Sequence, residues 1–160
     1  RGLRIDWAKI DQTNYVRKIS ALKNLEELTF TSPVTFFVGE NGSGKSTLLE
    51  AIAVAYGFNP EGGTKNYRFL TYDSHSELYK HLILIKGTRI AKWGYFLRAE
   101  SFYNVATMEE EYADSTHPST HLHQYSHGES FLNLLSEQFQ PNSIYLLDEP
   151  EAALSPSRSC

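Results

Sequence analysis

Residues 34–56 read VTFFVGENGSGKSTLLEAIAVAY, and the fold turns on this stretch. Its first five residues, 34–38, are β-branched and aromatic and read as a short strand. A glycine-rich turn follows. Leu48, Leu49, Ile52, Ala53 and Tyr56 then recur at helical spacing, with Gly57 as a C-terminal stop. Gly39-Glu40-Asn41-Gly42-Ser43-Gly44-Lys45-Ser46 matches the phosphate-binding pattern G-x-x-x-x-G-K-[ST] at every fixed position. The spacing has a chemical reason. Gly39, Gly42 and Gly44 let the backbone turn tightly about a phosphate with its N–H groups pointing inward. Lys45 supplies a mobile point charge for β- and γ-phosphates, the Ser46 hydroxyl is placed to ligate Mg²⁺, and Thr47 after it closes the nucleotide-binding run. The positive end of the helix dipole aims at the same anion. Strand, loop and helix together imply a nucleoside triphosphate as ligand, held by residues 39–47.

Length and composition bound what surrounds this loop. At 160 residues there is room for one domain with a real core, expected to span 1–160. Fifteen basic residues against nineteen acidic ones, net charge −4, give no electrostatic footprint for general nucleic-acid binding. The single cysteine, Cys160, contributes no disulfide, which suits a reducing, cytoplasmic setting. No apolar run approaches a membrane span, and no signal-peptide pattern or internal repeat occurs.

Along the chain, residues 3–19 mix apolar and charged positions without a clean period, and their structure stays open. Residues 25–30 and 34–38 look like two strands around a Thr31-Ser32-Pro33 turn. Residues 59–63 read as loop, and 67–72 alternate with a two-residue period. Residues 82–85 and 89–97 flank Lys86-Gly87-Thr88, which predicts a hairpin and an antiparallel patch inserted into the core. Residues 102–112 suggest a helix ending in acidic residues, and 114–118 a loop.

Two further motifs carry chemistry. Residues 143–149, SIYLLDE, form an apolar strand ending in two acids. A buried parallel strand delivers its carboxyl end to the ligand site in open α/β sheets. Asp148 would then hold the Mg²⁺ shell, and Glu149 would orient and deprotonate an attacking water. The alternative is a strand that merely ends in an acidic turn; the phosphate loop upstream favours the catalytic reading. In Tyr125-Ser126-His127-Gly128-Glu129, Ser126 and Glu129 form a capping box ahead of a helix bearing Phe131, Leu134 and Leu135. With Gly128 leaving the backbone open, that helix start is either an anion site or an ordinary capped helix.

Taken together, the three motifs resemble those of ABC-type P-loop ATPases: Walker A at the loop, Walker B in IYLLDE with its catalytic glutamate, and the signature at residues 125–129. Residues 151–156 stand where that family has its D-loop. The strings GENGSGKSTLLEAIA, FLRAESFYNVAT, SHGESFLNLL and YLLDEPEAALSP are similar to a group of small stand-alone ATPases often labelled AAA family ATPase. The resemblance implies an α/β P-loop NTPase core with a mostly parallel sheet, an inserted antiparallel patch and a helical signature region. It implies ATP and Mg²⁺ as ligands, Lys45 and Glu149 as catalytic residues, and Ser46 and Asp148 at the metal. It also implies a head-to-tail homodimer formed on ATP, in which Ser126 and Gly128 reach the γ-phosphate held by the other copy. The long coiled-coil arms of the chromosome-maintenance relatives have no counterpart between Lys45 and Asp148.

The chain departs from that family in three places. His127 replaces the first glycine of the signature. No glutamine lies between Ser46 and His123, which leaves Glu100 or Asn104 as substitutes for the Q-loop residue. All six histidines precede Asp148, so the family's switch histidine and the strand before it are missing, and a C-terminally incomplete domain is expected.

The same residues permit other readings. His117, His121, His123 and His127 could ligate Zn²⁺ or Ni²⁺, but no cysteine or clustered aspartate joins them, and solvated loop and cap roles are favoured. Tyr15 or Trp7 could stack on adenine, as the family often places an aromatic upstream of Walker A; packing is the favoured role for each. The motifs also permit a transporter's nucleotide-binding subunit, although FLRAESFYNVAT does not resemble that Q-loop region, or an ATP-binding module that no longer hydrolyses. A GTPase is disfavoured because Thr64-Lys65-Asn66-Tyr67 lacks the base-reading acid. A small-molecule kinase would need neither signature nor Glu149. The client on which such an ATPase acts, protein or nucleic acid, is not encoded in any motif.

Overall fold

In a computed structural model, residues 1–64, 76–88, 91, 93–98 and 139–150 are described. The chain forms two compact units, Arg1–Pro60 with Phe69–Ile90, and Glu61–Arg68 with Ala91–Cys160.

The first unit is built on a three-stranded antiparallel sheet. Strand β1 (Gly2–Ile5) lies between β2 (Glu27–Thr29) and β4 (Leu82–Ile85), with Leu3 opposite Leu28 on one side and Leu84 on the other. Leu3 and Ile5 are buried while Arg4 is exposed, the alternation of a strand with one covered face. Helix α1 (Lys45–Tyr56) packs against β4 and the short 3₁₀ turn Glu77–His81. Leu48, Leu49, Ala51, Ile52 and Ala53 are buried on it, and each large aliphatic side chain so covered contributes about 1.5–3 kcal/mol. The helix stops where expected. Gly57 adopts a left-handed φ of 103°, and its N–H donates to the carbonyls of Ala53 and Val54.

Beyond β1, the segment left open by the sequence is ordered by polar clamps rather than by apolar period. The Arg17 guanidinium donates to the carbonyl oxygens of Trp7, Ile10 and Asp11, and it lies over the Trp7 ring at 5.4 Å. The Trp7 indole N–H donates to the Leu25 carbonyl at 2.9 Å. Asn14 caps a 3₁₀ turn over Tyr15–Lys18 by accepting from the Val16 N–H at 3.0 Å. Val16 and Leu22 are the apolar anchors beneath these bonds.

The second unit holds β3 (Gly63–Thr64), β5 (Trp93–Arg98) and β6 (Ser143–Asp148), in the order β3-β5-β6. β3 runs antiparallel to β5. β5 and β6 are parallel and in register from Trp93 opposite Ser143 to Arg98 opposite Asp148. Tyr95, Phe96 and Leu97 are buried in succession, the continuous apolar run of a strand covered on both faces.

Two expectations are corrected. Residues 34–38 form no strand: Val34, Phe36 and Val38 are 64 %, 83 % and 92 % exposed, and no described strand offers them a ladder partner. β-propensity alone cannot fix a strand, because its stability resides in cross-strand pairing. Among the described residues, 82–85 and 93–97 do not pair as the expected hairpin of 82–85 with 89–97. β4 instead pairs with β1, and β5 pairs with β6. The reason is chemical: the unbroken apolar run of β5 suits a parallel neighbour such as SIYLLD. β4 leaves Ile83 and Ile85 partly exposed and suits the one-sided antiparallel sheet. β5–β6 is the one parallel pair among the described residues, and the other three strand pairings there are antiparallel. The strand expected over 25–30 is present in shortened form as β2. The expected strand at 67–72, helix at 102–112 and loop at 114–118 lie outside the described residues.

Candidate functional site

The glycine loop runs straight into α1. Gly42 and Gly44 have φ of 76° and 99°, values open to glycine at little steric cost. Gly44 is doubly required, since a Cβ there would lie 2.2 Å from Cγ2 of Ile19. The Ser43 N–H donates to the Glu40 carbonyl at 3.2 Å, closing the turn, and the Leu48 N–H donates to the Gly44 carbonyl at 3.0 Å, starting the helix.

This helix start is built to receive something. Its N-cap residue, Gly44, has no side chain with which to cap the first turn, so the N–H groups there depend on other acceptors. Ser43 Oγ is buried without a hydrogen-bond partner among the described residues. The Lys45 ammonium folds back over the loop and donates to the carbonyls of Gly39 and Glu40, each at 2.8 Å. That contact holds a positive charge against the loop. N–H donors, a spare hydroxyl and an ammonium form a donor set that fits a phosphate chain. Ser46 and Thr47 occupy the first turn, half-buried, where a hydroxyl suits the hard oxygen coordination of Mg²⁺.

The second group of residues closes β6. Asp148 is its last residue, 13 % exposed at the side chain, and Glu149 follows it, exposed and with a left-handed φ of 51°. A non-glycine residue in that region costs about 1–2 kcal/mol. Such strain recurs where a side chain must be aimed rather than paired. Arg98, the last residue of β5, stands opposite Asp148 with Nε 3.8 Å from Oδ2. An oxygen-rich carboxylate at a strand end fits a Mg²⁺ shell.

The sequence-predicted residues thus fall into groups. Gly39, Glu40, Asn41, Gly42, Ser43, Gly44, Lys45, Ser46 and Thr47 come together in the first unit, and Asp148 and Glu149 stand together in the second. Ser126, Gly128, the substitutes Glu100 and Asn104, residues 151–156 and the histidines from His117 to His127 lie outside the described residues. Among the described residues no group of histidine, cysteine or acidic side chains is arranged to hold a metal, and no helix is long and apolar enough to cross a membrane. Trp7 is committed to Arg17 and Leu25, a packing role; Tyr15 is half-exposed. Sequence reasoning missed Arg98. Its signal was its place as the charged end of an apolar run, visible only once the register with β6 is known.

A family model described as an AAA domain matches residues 14–145, most of the chain. No curated protein and no solved structure matches it. The matched span runs through the phosphate loop and into β6. The chain therefore belongs to the AAA-domain family, a P-loop family of nucleotide-binding ATPases.

Proposed function

We propose that the chain is an ABC-type ATPase head, a single nucleotide-binding domain over 1–160 that binds ATP with Mg²⁺ and hydrolyses it in a head-to-tail dimer. The observation that carries this reading is the loop itself: an uncapped helix start, the orphaned Ser43 hydroxyl and Lys45 drawn over the loop by its own carbonyls. The acids at the end of β6 extend it from binding to hydrolysis.

In this reading the N–H groups of residues 42–47 cradle the β- and γ-phosphates, and Lys45 leaves the Gly39 and Glu40 carbonyls in part to meet them. Ser46 and Asp148 hold the Mg²⁺, which neutralises charge developing on the phosphate oxygens. Glu149 orients a water in line with the γ-phosphate and accepts its proton as the new P–O bond forms and the bond to ADP breaks. Ser126 and Gly128 close over the γ-phosphate of the other copy. The P-loop core then has a mostly parallel sheet, of which β5–β6 is one pair.

Glu149→Gln keeps a neutral side chain of the same shape and removes the base. Its phosphate release should fall roughly 10²–10⁴-fold while ATP affinity is retained. By light scattering its mass should double with Mg-ATP and return to the monomer value without nucleotide. A protein that binds ATP but stays monomeric rejects the dimer; wild-type turnover in the variant removes Glu149 from the mechanism.

A further inference from the structure

The parallel register of β5 and β6 sets two opposite charges side by side at the carboxyl end of the pair. Arg98 Nε lies 3.8 Å from Asp148 Oδ2, and the two side chains are only 20 % and 13 % exposed. Water therefore screens this attraction far less than it would on an open surface. The separation is also longer than a charged N–H···O hydrogen bond, which closes to about 2.7–2.9 Å. Arg98 sets a positive charge beside the carboxylate through this contact. A carboxylate this far from water costs free energy without a counter-charge, and the neighbouring strand supplies one.

We infer that Arg98 is the counter-ion that Asp148 exchanges for a divalent cation. It is a positioning residue whose charge competes with the metal. The inference rests on the reading of Asp148 as a member of the Mg²⁺ shell. Its direction follows from charge. A guanidinium held within a few ångströms of the carboxylate repels a doubly positive ion approaching the same oxygens. The cation gains entry when the triphosphate brings enough negative charge to outweigh Arg98. Arg98 thereby makes metal binding follow nucleotide binding, and it keeps Asp148 from taking up a cation alone.

Calorimetry on the full chain reads this directly, as ATP affinity in Mg²⁺ divided by ATP affinity in EDTA. Changes in nucleotide binding that do not involve the metal cancel from that ratio. Arg98→Gln should raise the ratio several-fold, whereas Arg98→Lys, which retains the charge, should stay near wild type. The gain should vanish in the Arg98→Gln, Asp148→Asn double variant. If Arg98→Gln loses its circular-dichroism spectrum, Arg98→Met, which preserves the apolar stem, carries the same expectation. A ratio that is unchanged or lower in the Arg98 variant overturns the exchange. If Asp148→Asn alone leaves the ratio at its wild-type value, the metal role of Asp148 is what fails, and the competition at Arg98 falls with it.

Discussion

Ile19 closes over Gly44: its Cγ2 stands 2.2 Å from the point where a Cβ on Gly44 would be. The side chain that ends the Tyr15–Lys18 turn thus abuts the helix N-cap of the phosphate loop. Gly44→Ala must displace Ile19 and also hold an L-residue at φ 99°, which alone costs about 1–2 kcal/mol. The variant should melt at lower temperature and bind ATP weakly. Adding Ile19→Ala should recover the clash component and leave the backbone cost. Equal melting temperatures for wild type and Gly44→Ala would show that the loop does not keep this conformation.

Among the described residues the Lys45 ammonium donates to the Gly39 and Glu40 carbonyls, and those acceptors are exposed. Lys45→Ala should therefore change folding stability by no more than about 0.5 kcal/mol, as is usual for surface positions. Its effect on ATP should be large. A hydrogen bond to a charged group contributes about 1.5–3 kcal/mol, so affinity should fall at least about tenfold by calorimetry. An unchanged affinity would reject the phosphate-loop assignment.

Glu50 is a buried carboxylate on α1, and its Oε1 accepts from the Ser76 N–H at 2.9 Å. That bond ties the helix behind the phosphate loop to the start of the Glu77–His81 turn. Glu50→Ala strands a donor and should cost about 1–3 kcal/mol in urea denaturation. Glu50→Gln keeps an acceptor oxygen and should cost less. Equal losses in the two variants would mean that Ser76 does not depend on this oxygen.

Acid should loosen the clamped segment ahead of the loop. The Thr13 hydroxyl and then its N–H hold Asp11 below the usual carboxylate value of 3.8, and a hydrogen bond from Lys9 does the same for Asp6. Each folded carboxyl takes up its proton less readily than in the unfolded chain. Their stabilisation is therefore complete above about pH 4 and is lost as pH falls through the lower folded values. Amide exchange of residues 6–18 should accelerate between pH 4 and pH 2 beyond the intrinsic trend, by less in Asp11→Asn. Asp11 is exposed and Asp6 partly so, and the effect is modest. Identical profiles for the two proteins would show that Asp11 has no part in the acid response.

How far the sequence could be read depended on where each element finds its partners. The phosphate loop and α1 are local: spacing, glycines and the stop at Gly57 all act within a turn or two, and the structure follows them. The acids of β6 were legible because an apolar run ended at them. Strand pairing is non-local, and there the reading failed. Nothing in residues 82–97 tells β4 to pair with β1 some eighty positions earlier, or β5 to pair with β6. Within the open stretch 3–19, residues 6–19 were opaque for another reason. Arg17 holds them through backbone carbonyls, a bonding pattern that leaves no periodic mark on side-chain identity.

The two tryptophans divide between the two units, Trp7 against Arg17 in the first and Trp93 on β5 in the second. Trp93 lies 6.5 Å from the ring of Tyr95 and 5.8 Å from that of Tyr145, surroundings that share nothing with those of Trp7. Each unit thus carries its own fluorophore. Replacing one tryptophan by phenylalanine leaves emission that reports on the other unit alone. Coincident denaturation curves from the two variants would mean that phosphate loop and acid-bearing strand fold as one cooperative body. Separate curves would mean that the chain can lose the unit that carries Asp148 while the unit that carries the glycine loop still stands.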